Sequence, residues 1–286
     1  CFHNQLTFEV KKENLFSNYY YLSSQSKTLQ SHFDNAAKKY IKLFKLKKNS
    51  FIIDVGSNDG ISLRYYKKKN FKNILGIEPA KNVAKIANKN GINTINSFLN
   101  LDISKKYKNK ADLVTASNVF AHNKDISKLA KHLISLMKKN GLLIIEVQYL
   151  ISMLKKNLFD NIYHEHIHYW SANSIDFLFK KLNCTIEKFE KISSHGGSLR
   201  CYIRKNRFKQ NLHVKKFLEN EIKIGINKKK IFFDFSSKLE AKKNNFKKFL
   251  LKNKNKNIVG YGAAAKTATL LNYLQISDDL KFIIDD

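Results

Sequence analysis

The feature that most constrains this chain is a strand, a glycine loop and a helix in one stretch. Phe51-Ile52-Ile53-Asp54-Val55-Gly56-Ser57-Asn58-Asp59-Gly60 runs directly into the amphipathic segment Ile61–Lys69. An apolar strand that passes through glycines into a helix belongs to a parallel sheet, because parallel neighbours need a crossover and the crossover is usually a helix. The alternation continues. We expect strands at Ser50–Val55, Asn73–Ile77, Ile92–Ile95, Asp112–Ala116 and Leu142–Val147, and helices at Ser26–Lys45, Ile61–Lys69, Asn82–Lys89 and Ile126–Lys138. Short, largely apolar strands of this kind are covered on both faces. Ser174–Leu182, capped by Ser171 or Asn173, reads as a further helix. Thr185–Ile192 and Ser198–Ile203 are separated only by Ser193-Ser194-His195-Gly196-Gly197, which makes them an antiparallel pair.

A parallel sheet finished by an antiparallel hairpin is the strand pattern of class I S-adenosylmethionine (SAM) methyltransferases. The expected fold class is therefore α/β, with a Rossmann-like sheet. From about Asn206 to Asn257 the chain is rich in Lys and Asn with helical apolar spacing, which predicts one or two connecting helices. Ile258-Val259-Gly260-Tyr261-Gly262-Ala263 then opens a second strand–glycine–helix unit, with Leu280–Ile284 as its next strand. We expect a methyltransferase domain over residues 25–205 and, over 206–286, connecting helices and a second, truncated Rossmann-like domain. The chain opens on Cys1 and stops just after a strand-like run, so a fragment is the expectation.

The loop chemistry favours SAM over a nicotinamide cofactor. A dinucleotide site wants Gly-x-Gly-x-x-Gly, whose middle glycine admits the pyrophosphate. Here Ser57 and Asn58 stand between Gly56 and Gly60, and SAM has no pyrophosphate to admit. Asp54 and Asp59 suit a cationic sulfonium and amino group and would repel phosphates. Glu78 ends the next strand 22 residues beyond Gly56, close to the separation of about 20 at which a carboxylate meets a ribose diol.

A second cluster lies further on. Tyr163-His164-Glu165-His166-Ile167-His168-Tyr169-Trp170 packs three histidines, a carboxylate, two tyrosines and the only tryptophan together. If extended, His164, His166 and His168 share one face, and His-x-His spacing suits a metal. Alternatively, one histidine is a general base oriented by the neighbouring tyrosine and carboxylate. His122, after the fourth strand, would reach the same edge of the sheet, where ligands gather in open α/β folds.

Composition narrows the partners. The chain carries 53 Lys+Arg against 23 Asp+Glu, a net charge of +30, which raises the question of nucleic acid. The excess is nearly all lysine, and runs such as Lys67-Lys68-Lys69 lack the arginine and aromatic interleaving of a nucleic-acid surface. Pro79 is the only proline, which excludes the Asn/Asp-Pro-Pro-aromatic motif of base amino-methylation. We therefore expect no nucleic-acid partner. The best apolar run, Gly141 to Val147, falls far short of the roughly 20 residues of a membrane span, so no membrane is expected. Cys1, Cys184 and Cys201 make no disulfide framework, which favours a reducing, cytoplasmic setting.

The chain as a whole resembles the sugar C-methyltransferases, which methylate carbon on nucleotide-linked 4-keto-deoxysugars. The resemblance rests on Asp54-Val55-Gly56-Ser57-Asn58-Asp59-Gly60, Asn118-Val119-Phe120-Ala121-His122, Phe159-Asp160-Asn161-Ile162-Tyr163-His164-Glu165-His166, His195-Gly196-Gly197-Ser198-Leu199-Arg200 and Gly260-Tyr261-Gly262-Ala263-Ala264-Ala265-Lys266, with Leu270-Leu271-Asn272. It implies cofactor contacts at Asp54, Gly56, Ser57, Asn58, Gly60, Glu78 and Asn118. It implies His166 as the base, with Tyr163, Glu165 and His122 beside it in an unresolved order of roles. His195, Tyr261, Lys266 and Asn272 would hold the nucleotide-diphosphate sugar. It also implies that residues 1–24 are the remnant of a zinc domain, with Cys1 the last of four structural zinc ligands in the full-length protein. The competing readings are a SAM-dependent O- or nucleic-acid methyltransferase and a metal- or ligand-binding module built on the histidines.

Overall fold

The computed structural model describes residues 2–16, 18–206, 208–264 and 266–285. At its start lie β1 (Asn4–Gln5), α1 (Lys12–Phe16) and α2 (Lys27–Leu43). The alternating region comprises β2 (Phe51–Val55), α3 (Ile61–Lys68), β3 (Asn73–Glu78), α4 (Lys81–Lys89) and β4 (Thr94–Asn96). It continues with α5 (Leu101–Lys106), β5 (Ala111–Ser117), α6 (Ile126–Leu136) and β6 (Met137–Gln148). Then come α7 (Leu150–Lys156), β7 (His168–Tyr169), α8 (Ala172–Lys181), β8 (Cys184–Ile192) and β9 (Ser198–Lys205). The C-terminal part holds α9 (Leu212–Ile224), α10 (Lys230–Lys252), β10 (Gly260–Tyr261), α11 (Thr267–Leu274) and β11 (Ile283–Ile284).

The main sheet has seven strands in the order β4-β3-β2-β5-β6-β9-β8. Pairings through β6 are parallel, and β9 runs antiparallel to both β6 and β8. This is the class I SAM-methyltransferase sheet with its antiparallel terminal hairpin. Successive residues of one strand serve opposite faces, which is why the central parallel strands are largely apolar. Ile53 packs with Leu75, Val114 and Leu133 on one side, while Ile52 packs with Ala36, Leu63 and Ala87 on the other. The last unit has a small core of its own, in which β10 pairs parallel with β11 and Leu250, Leu274 and Ile276 pack together.

Several boundaries differ from the sequence reading, and two of them have a clear physical cause. Ile92 belongs to the turn that ends α4, because its N–H closes back on Ala87 O at 3.0 Å and leaves the strand to begin at Thr94. The helix that was expected to run to Lys138 stops at Leu136, because Met137 already pairs with Ala111. No helix of the described residues is long and apolar enough to cross a membrane.

Candidate active site

The glycine loop turns at the carboxyl end of β2, the central strand. Gly56 has φ +68° and donates its N–H to Ile77 O at 2.8 Å. A Cβ there would stand 2.6 Å from Val119 Cγ2, so only glycine lets the loop pass under the segment that follows β5. Gly60, at φ +83°, leads into α3. Glu78, at the end of β3, accepts from the Asn58 N–H and from the Ala80 N–H, each at 2.9 Å. Burial raises its carboxyl above the usual range, and the two amides aim it beside the loop. Each carboxylate oxygen keeps a lone pair for a further donor such as a ribose hydroxyl. The buried Ser57 Oγ has no partner. Those features fit the nucleoside end of SAM: a cradle closed to a Cβ, an aimed carboxylate and an unspent hydroxyl. Asp54 is turned into the sheet instead, accepting from Thr115 Oγ1 at 2.5 Å, and burial pushes it up to about 7.

A segment that carries no periodic signal lies across this loop. Asn58 accepts from Ser23 N–H at 2.9 Å through its side chain and donates to Tyr21 O at 3.1 Å. Asp59 Oδ2 accepts from Ser24 N–H, and Asn82 both accepts from Tyr19 N–H and donates to Tyr19 O. Residues 18–25 are thus strapped over the glycine loop by side chains of the loop and of α4. The strap delivers Tyr19 between the two acidic ends of the site: burial, then Glu165, then Tyr21 and Glu78, raise its phenol to about 12.

A second cluster of polar side chains forms where β5 stops. Asn118, at φ +58°, donates its N–H to Glu146 O, and the chain then reaches His122. His122 Nδ1 donates to Glu165 O at 2.7 Å, and His166 Nδ1 to Asn161 O at 3.1 Å. Both rings therefore keep Nε2 as the lone-pair nitrogen in their neutral forms. Their centroids are 5.0 Å apart, and the Tyr163 ring is 4.6 Å from His166. Tyr163 O–H reaches Glu165 Oε2 at 3.5 Å. Burial lowers His122 to about 4, while burial, His122 and the Lys266 cation together lower His166 to about 3. Burial also raises Tyr163. The site thus holds two neutral imidazoles beside a protonated phenol.

The three histidines of the cluster do not share a face. Residues 163–166 form a turn, with His166 N–H donating to Tyr163 O, so the alternation of a strand does not apply until His168. His164 is exposed, and His168 turns to His3 at 2.9 Å and to Asn123 O at 2.8 Å. Among the described residues no group of three His, Cys, Asp or Glu side chains converges to hold a metal. Cys1 lies outside the described residues.

His195, at φ +49°, brings its Nε2 to 3.4 Å from Asn118 Nδ2, and burial followed by Lys266 lowers its pKa. Lys266, at the start of α11, donates to Asn161 Oδ1 and stands 3.9 Å from Asp160 Oδ2. Tyr273 packs on Phe159 with centroids 4.7 Å apart, so α11 is seated on the loop that carries His166. Tyr261, 74% exposed, and Asn272, also exposed, face solvent. Sequence reasoning passed over Tyr19, Asn82 and Asn161; three consecutive tyrosines carry no period, and an asparagine inside a motif does not announce its partner.

Comparison with known proteins agrees with this geometry. Residues 29–188, more than half of the chain, match the family described as methyltransferase domain. The chain belongs to that family. Residues 193–286 match the C-methyltransferase C-terminal domain, so the methyltransferase domain and its C-terminal companion account for nearly all of the chain. C-methyltransferase NovU of Streptomyces niveus is 26% identical over 278 residues, covering 95% of this chain. The chain spans 66% of the length of that relative. Among solved structures, the PH0226 protein of Pyrococcus horikoshii superposes with a TM-score of 0.55 at 14% identity, over 68% of this chain and 98% of its own. The plantazolicin methyltransferase BpumL, solved with a pentazolic desmethylPZN analogue and SAH, gives 0.50 at 14% identity, over 64% of this chain and 87% of its own. Those two likenesses show the fold alone.

Proposed function

We propose that this chain is the working core of a SAM-dependent C-methyltransferase that acts on the carbon α to the ketone of a nucleotide-linked 4-keto-deoxysugar. The observation that carries the reading is the pairing of His166 with His122 and Tyr163 at the carboxyl edge of the sheet, beside the Gly56–Gly60 loop and Glu78. The match to the C-methyltransferase C-terminal domain and to NovU supports carbon as the acceptor.

Gly56, Ser57, Asn58, Gly60, Glu78 and Asn118 would hold the cofactor, with Glu78 on the ribose and Asp54 bracing the strand beneath. SAM supplies an electrophilic methyl group when bound. The chain must make a carbon of the acceptor nucleophilic. His166, with its Nδ1 occupied, presents Nε2 to take the proton α to the ketone, and the resulting enolate places its electron pair on that carbon. Tyr163, protonated, would be the donor near the ketone oxygen, with Glu165 restraining it. His122 would stand near the ketone with its one N–H spent on Glu165 O, which fixes its ring beside His166. Lys266 and His195 would face the diphosphate, with Tyr261 and Asn272 closing over the nucleotide.

The test is His166→Ala. Turnover of a nucleotide-linked 4-keto sugar is expected to fall about 10³-fold, the order a positioned base contributes, with S-adenosylhomocysteine affinity unchanged. Turnover within threefold of wild type would remove His166 as the base.

A further inference from the structure

One residue touches both the proposed base and the proposed anion site. The main-chain carbonyl of Asn161 holds His166 Nδ1 at 3.1 Å, and its side-chain Oδ1 accepts from Lys266 Nζ. Asn161 is 2% exposed, and its amide nitrogen has only Leu158 O and Asp160 Oδ1, each at 3.4 Å. Among the described residues Lys266 is the one donor to Oδ1.

We propose that Asn161 is a positioning residue that transmits the occupancy of Lys266 by a diphosphate to the orientation of the His166 imidazole. The proposal rests on the roles given to Lys266 and His166 above.

The physical argument is competition for one ammonium. A hydrogen bond from Lys⁺ to an anionic phosphate oxygen is about twice as strong as one to a neutral amide oxygen. A diphosphate arriving at Lys266 therefore draws the ammonium away from Asn161. The buried Oδ1 then lacks a donor, which proteins rarely tolerate, so the residue shifts to find another. Its carbonyl belongs to the same residue and moves with it, and the His166 ring follows the hydrogen bond that sets it. Electrostatics act in the same sense, since the Lys266 cation is one of the groups that disfavours a proton on His166. Neutralising it makes the imidazole a better base once substrate is in place. Plain packing of α11 on the loop, through Tyr273 and Phe159, would explain the contact without any such coupling.

The chain labelled with ¹⁵N-histidine and titrated with inorganic pyrophosphate separates the two. His166 ring signals are assigned by their loss in His166→Gln. In the wild-type chain, saturation with pyrophosphate is expected to shift both His166 nitrogens. In Asn161→Ala, pyrophosphate should bind with a Kd within about threefold of wild type while the His166 signals move clearly less than in wild type, keeping only the direct effect of neutralising Lys266. Signals that move as far in Asn161→Ala as in wild type, or that stay still in a saturated wild-type chain, overturn the coupling. Asn161→Asp provides an independent arm, because a carboxylate would hold Lys266 against the ligand. A loss of pyrophosphate affinity of about tenfold supports the proposal, and an unchanged affinity overturns it. Equal binding by Lys266→Ala would instead overturn the diphosphate role of Lys266 itself.

Discussion

At the scale of single residues, Gly56 and the buried titratable groups carry the sharpest consequences. Gly56→Ala puts a Cβ into the left-handed region and 2.6 Å from Val119 Cγ2. A loss of about 2 kcal/mol is expected from the backbone alone, together with at least about tenfold weaker binding of S-adenosylhomocysteine. Urea midpoints and calorimetry check both, and wild-type values in the variant would mean that the turn does not need glycine. The pH behaviour follows from opposite shifts. His122 at about 4 and His166 at about 3 bind fewer protons folded than unfolded, where the value is 6.5. Stability therefore falls as the pH drops from 7 towards 5, by about 2 kcal/mol for each histidine. Asp54 is raised from 3.8 to about 7 and acts the other way, since the folded state holds its proton where the unfolded chain has released it. Asp54→Asn should remove that offset and make the acid loss steeper. An unchanged or flatter profile between pH 7 and pH 5 would contradict the burial of Asp54 as a protonated group near neutrality.

At the scale of elements, two helices depend on groups far away in the chain. The N-terminus of α8 is capped by Ser171, one of the two caps expected from sequence, in a capping box with Ser174, and it also rests on Glu221 of α9. That fully buried carboxylate accepts from Ala172 N–H at 2.7 Å and Asn173 N–H at 2.9 Å, where the helix dipole favours negative charge. Glu221→Ala leaves both amides unpaired in the interior, and a loss of about 2–4 kcal/mol is expected. The exposed neighbour Glu219→Ala should change thermal stability by less than about 0.5 kcal/mol. Equal effects of the two substitutions would remove Glu221 as the cap. The start of α2 is organised differently. His32 and Arg200 meet Glu146 at 2.8 Å and 2.6 Å, so a helix that reads as plainly amphipathic is pinned to the sheet by a buried charge cluster. Periodicity locates such a helix; it says nothing of which polar residues face inward.

At the scale of the molecule, what could be read from the chain and what could not divide along physical lines. The order of strands and helices was readable because both faces of the parallel sheet are apolar, and the hairpin because five turn residues separate its strands. Gly56 and Glu78 were readable from their spacing, and the loop that Gly56 opens donates the Asn58 N–H to Glu78. The turn at residues 163–166 was not, because a short polar stretch has no period to choose between strand and turn. The strap over the loop was hidden for the same reason, since Tyr19, Asn58 and Asn82 act through single long-range hydrogen bonds. So was the seating of Lys266 on Asn161, a contact across 105 positions of chain. The central claim joins a methyl-donor site on the sheet to an anion site completed by α11. Calorimetric titration with S-adenosylhomocysteine, followed on the same sample by thymidine diphosphate, tests it most directly. The expected result is one-to-one binding of both. Binding of the first alone would contradict the nucleotide-linked acceptor, and binding of neither by folded protein would contradict the reading of the Gly56–Gly60 loop.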